Sequence, residues 1–77
     1  MKIEVLGAGC AKCQQLEEMV RAAVTAAGVA AEVEHVRDLR RIAGYGVLST
    51  PALVVEGKVK CAGRLPSRKE IEGWVKG

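Results

Sequence analysis

Aromatic side chains are almost missing from this chain: it has no phenylalanine, one tryptophan, Trp74, and one tyrosine, Tyr45. The core must therefore be aliphatic, and a nucleic-acid surface that stacks bases on several rings is excluded. Long apolar runs are missing too. No stretch approaches the ~20 residues needed to cross a bilayer. With Lys2 and Glu4 so close to the start, no signal peptide is expected either. No Pro/Gly/Ser-rich linker, repeat or low-complexity segment divides the 77 residues. One domain over 1–77 is expected, near the lower size limit for a core without staples. The net charge of +3 is unevenly spread. After position 56, Lys58, Lys60, Arg64, Arg68, Lys69 and Lys76 stand against only Glu70 and Glu72, which reads as a solvated basic face.

What the chain does have is clear hydrophobic spacing. Residues 2–6 alternate, with Ile3 and Val5 on one face and Glu4 and Leu6 on the other, as in a strand. Gly7-Ala8-Gly9 breaks it. From Cys10 to Ala27 the period becomes helical: Cys13, Leu16, Val20, Ala23 and Ala27 form a stripe, with Gln14, Glu17, Glu18, Arg21 and Thr25 opposite. Glu17 and Arg21 stand four apart, an ion-pair spacing, and Gly28 ends the helix. A second strand is predicted over 31–36. Asp38 should cap a short helix to about Tyr45 that turns Leu39, Ile42 and Ala43 inward. Residues 52–56 are nearly all apolar, as in a strand covered on both faces. Gly57 offers the positive φ of a tight hairpin into a strand over 59–62, on which Cys61 falls in phase with Val59. Ser67 and Glu70 form a capping-box pattern before a last helix with Ile71, Trp74 and Val75 on its apolar side. The order is βαβαββα.

The three cysteines, Cys10, Cys13 and Cys61, are too few and too oddly numbered for a secreted disulfide framework. Cys10 and Cys13 fall where a strand ends and a helix begins. Free N–H groups and the positive dipole end of a helix stabilise a thiolate there, and Lys12 adds a weaker positive charge. Cys13 is in phase with Leu16 and Val20 and should face the core. Cys10 precedes that stripe among small residues and should be exposed. An exposed attacking thiol with a half-buried resolving thiol suits dithiol–disulfide exchange. The alternative is a Cu(I) or Zn(II) carrier using the same pair. Against it, no second Cys/His pair completes a zinc site, and small metal carriers run βαββαβ, ending on a strand.

Gly9-Cys10-Ala11-Lys12-Cys13 after a first strand, Tyr45-Gly46-Val47, and Ser49-Thr50-Pro51-Ala52-Leu53 before a hairpin together resemble the thioredoxin superfamily, in particular its small glutaredoxin-sized members. The resemblance spans essentially the whole chain. It implies a thioredoxin-like α/β fold: a four-stranded mixed sheet with helices on both faces. It implies a thiol–disulfide oxidoreductase in which Cys10 attacks and Cys13 resolves. Pro51 should follow a cis bond and face the dithiol, and Thr50 should hold an extended substrate segment with its backbone. Gly63 is either a turn glycine or room for a partner's backbone. The expected partners are protein disulfides and a separate reductase, with no bound cofactor, no nucleic acid and no membrane; a cytoplasmic monomer is expected. Thioredoxins proper carry Trp before the first cysteine and Gly-Pro between the two, where this chain has Gly9 and Ala11-Lys12. They also bury an acid beneath the resolving cysteine, at a spacing matched by Glu4; a solvated Glu4 is the plainer expectation. Cys61 reads as a buried or half-buried thiol, His35 as a surface or edge histidine, and Trp74 as cover for the core.

Overall fold

Alternation along β1 (Lys2–Leu6) decides the architecture. Ile3 and Val5 are fully buried on one side of the strand, and Leu6 is fully buried on the other. Only a strand with both faces covered can do this, so elements must pack on both sides of the sheet at β1. The computed structural model describes residues 1–9 and 11–76. Its sheet has the order β2-β1-β3-β4. β2 (Glu32–Val36) pairs with β1 in parallel, and β3 (Ala52–Val55) and β4 (Lys58–Ala62) continue the sheet antiparallel. This is the mixed four-stranded sheet that the sequence implied.

The helix α1 (Ala11–Ala27) buries Cys13, Leu16, Val20 and Ala23, the stripe read from the sequence. It lies beside α3 (Arg68–Lys76) over Ile3, Val5, Leu53 and Val55, with Ile71 and Val75 closing the layer and Trp74 packed at its margin. The capping box forms as expected. The Glu70 N–H donates to Ser67 Oγ at 3.2 Å, and the Ser67 N–H donates to Glu70 Oε1 at 2.9 Å. Among the described residues no helix is long and apolar enough to cross a membrane.

The other face carries α2 (Leu39–Gly44), capped by Asp38, which accepts from the Arg40 N–H at 2.9 Å. Here the sequence reading needs correction. Leu39 is 70% exposed and Ala43 is also exposed, so only Ile42 is buried. A six-residue helix shows one turn's side to the sheet, and its first residue overhangs the end.

Glu4 is a second correction. It is 4% exposed, not solvated. It accepts from the Tyr45 hydroxyl and from Arg41 Nη2 (3.0 Å), while Arg41 Nη1 reaches Glu34 at 2.7 Å. These partners all belong to the α2 side, whereas Cys13 belongs to the helix on the opposite face.

A third correction concerns β4. Leu53 pairs with Cys61 but Val54 pairs with Val59, leaving Lys60 as the extra residue of a bulge. Cys61 is therefore buried on the α1/α3 side, while Val59 emerges on the other side, 41% exposed.

Candidate active site

The parallel pairing of β1 with β2 brings their C-terminal ends to one edge, where the start of β3 also lies. Three chain segments meet there: Gly7 to Gly9 after β1, the first turn of α1, and Ser49 to Pro51 before β3. Cys13 lies in that first turn and is fully buried, as its phase with Leu16 required. Cys10 lies outside the described residues. Lys12 is exposed beside Cys13, and the first turn of α1 holds no acid. The guanidinium of Arg37 lies over Gly9, within 2.9 Å of where a Gly9 side chain would begin. The helix dipole, Lys12 and Arg37 thus all favour negative charge at this corner.

Gly7 was read only as a strand breaker. A methyl group on it would run into Cys13 Sγ and come within 3.8 Å of Thr50 Cβ. The missing side chain therefore makes the space in which the sulfur sits, with Thr50 nearby. The Thr50–Pro51 bond is cis. Pro51 is buried and Thr50 is exposed; among the described residues the Thr50 main chain has no hydrogen-bond partner. Gly63 has φ +79 and its N–H donates to the Pro51 carbonyl at 2.9 Å. A side chain there would crowd Ser49 Cβ at 3.0 Å, so Gly63, just after β4, packs against the loop that carries Thr50 and Pro51.

His35 is on an edge strand, as expected, but not at the surface: its side chain is 8% exposed. Nδ1 is 2.7 Å from Glu17 Oε1, and Nε2 is 3.0 Å from the Gly7 carbonyl. Arg21 holds the other Glu17 oxygen at 3.0 Å and, with His35, keeps that carboxyl below its ordinary value against the opposing effect of burial. No sequence signal pointed to this contact, because its three parts lie on three elements. Cys61, buried and 3.6 Å from the Arg64 carbonyl, has its thiol pushed up by burial. The surface hollow formed by Met1, Lys2, Ala30, Ala31, Glu32 and Glu56 lies at the far end of the sheet, away from the sulfur.

The geometry has counterparts in known proteins. Residues 1–76 match the family model described as a thioredoxin domain. A thioredoxin of Methanothermobacter thermautotrophicus is 42% identical over 72 residues, 94% of each chain. A thioredoxin of Methanocaldococcus jannaschii is 36% identical over 74 residues, 96% of this chain and 85% of that one. Together with a cis-proline loop set against the sulfur at the head of α1, these matches place the chain in the thioredoxin family, as a thioredoxin-type redox protein and a thiol–disulfide oxidoreductase.

Proposed function

We propose that the chain reduces protein disulfides through a Cys10/Cys13 dithiol. The Cys10 thiolate attacks one sulfur of the target disulfide, and the other target sulfur leaves as a thiolate. Cys13, losing its proton, then attacks the Cys10 sulfur of the mixed disulfide and expels the remaining target sulfur. A Cys10–Cys13 disulfide forms as the target bond is lost. Two electrons pass to the target, whose sulfurs take up the protons the dithiol gives up. A separate reductase restores the dithiol, and no bound cofactor takes part.

One observation carries this reading: the Cys13 sulfur is seated in the space left by Gly7, with Thr50 beside it. Thr50 offers its unpaired main chain to an extended target, held at its bend by Pro51, with Gly63 leaving room beside Ser49. Lys12 favours the thiolate form at the helix head. The open corner suits a polypeptide better than an enclosed small molecule. Family membership supports exchange over carriage of Cu(I) or Zn(II) by the same pair. A monomer working in the cytoplasm completes the proposal, supported by a cysteine set that makes no secreted framework.

Trapping tests the assignment. Cys13→Ser should accumulate mixed disulfides with a model protein disulfide, and Cys10→Ser should accumulate none by this route. Equal trapping by both variants would show the nucleophile to be misassigned. Bound metal without turnover of any disulfide would favour the carrier.

A further inference from the structure

Both ring nitrogens of His35 face atoms that only accept hydrogen bonds. One is the carboxylate of Glu17; the other is the carbonyl of Gly7. A neutral imidazole has one donor and one acceptor and can satisfy one of these partners. Only the imidazolium donates to both. The two partners are not arbitrary. Gly7 is the residue whose Cα abuts the Cys13 sulfur, and Glu17 stands one turn beyond Cys13 on the same helix. A ring whose side chain is only 8% exposed thus spans from the strand end to the helix between which that sulfur is held.

We infer that His35 is a positioning residue for the exchange reaction: its doubly bonded ring fixes the end of β1 against α1, and thereby sets how Cys13 is presented to the Cys10 mixed disulfide. This rests on the dithiol chemistry proposed above. Among the described residues the charged surroundings of the ring are few. From α1 come Glu17 and, behind it, Arg21, which also donates to the Val33 carbonyl at 3.2 Å. β1 faces the ring with Val5, its register partner, and Gly7 just after β1 offers its carbonyl. At the end of β2, Arg37 lies over Gly9. Loss of the ring proton must break one of the two contacts, and the strand end is then tied to the helix less firmly.

The test is the rate at which Cys13 resolves a preformed mixed disulfide between Cys10 and a small aromatic thiol, in wild type and His35→Gln, from about pH 5 to 9. A glutamine amide can reach one acceptor and does not titrate. The wild-type to variant ratio cancels the thiolate dependence common to both. It should be roughly tenfold at the acid end, within the ~10²-fold that a ~1 Å misplacement can cost. It should fall toward one as rising pH removes the second ring proton and with it one of the two contacts. A ratio that stays constant with pH would mean a merely structural residue and overturn the inference. A second measurement serves if the variant does not fold: in the wild type, the ¹³C resonance of the Gly7 carbonyl should titrate together with the His35 ring, and a carbonyl that ignores the ring overturns the inference equally. Failure of wild type to release the thiol at any pH would count against the dithiol mechanism itself; normal release with a flat ratio would count only against His35.

Discussion

The two faces of the sheet solve the same problem with different materials. Under α1 and α3 the contacts are hydrocarbon: Ile3, Val5, Leu16, Val20, Leu53, Ile71 and Val75. Under α2 the apolar cluster is smaller, and Glu4, Tyr45, Arg41 and Glu34 fill space beside it. Without phenylalanine to reach across, a six-residue helix cannot cover its half of the sheet. A buried carboxylate is tolerated there because an arginine and a phenol satisfy it. The lesson is one of dependence. The hydrocarbon face loses stability in proportion to volume removed, whereas the polar face depends on every member keeping its partner.

The strongest test of that contrast is Leu16→Ala, which should cost about 2–5 kcal/mol by urea titration, because the site is fully enclosed between helix and sheet. A loss under about 1 kcal/mol would mean that the face collapses around the gap. On the other side, Glu4→Ala should cost about 1–3 kcal/mol, since it orphans the Tyr45 hydroxyl and removes one of the three Arg41 hydrogen bonds. Glu4→Leu combined with Tyr45→Phe should recover most of that loss, because no buried polar group then lacks a partner. If the double variant is the less stable one, hydrogen bonding is not what holds this face.

The smallest effect is expected at the capping box. Ser67→Ala should cost about 0.5–2 kcal/mol. Its partner gives the acid dependence. Arg64, together with the Ser67 N–H, holds the Glu70 carboxyl down at about 2 against an ordinary value of 4.5. The group therefore contributes in full above about pH 4.5, and its contribution is lost as the pH falls toward about 2. Glu70→Gln should lower the urea midpoint at pH 6 and leave it nearly unchanged near pH 2. A deficit as large at pH 2 would mean that the charge contributes nothing.

Most of this architecture was legible because local rules decided it. The alternation of Ile3 and Val5, the stripe from Cys13 to Ala23, the Asp38 cap and the Ser67–Glu70 box each involve residues close in sequence. The same locality hid the rest. Glu4 looks solvated until Arg41 and Tyr45 arrive from about forty residues away. His35 looks like a surface residue until Glu17 and Gly7 close on it. One extra residue at Lys60 reverses the side on which Val59 emerges, and strict alternation has no means of showing an insertion that the partner strand does not share. In the site, the cysteine spacing announced Cys13, but only the assembled fold gives Gly7 its purpose as the hollow for a sulfur.

That extra residue has a further effect. A sheet with open outer strands can take on an extended polypeptide segment. An outermost strand with regular pleat and apolar flanks would accept such a segment anywhere along its length, a second copy of the same chain included. β4 is outermost, but it is kinked by the bulge at Lys60 and carries exposed Lys58 and Lys60 along its length. Sheet growth on that side is discouraged by shape and by charge together.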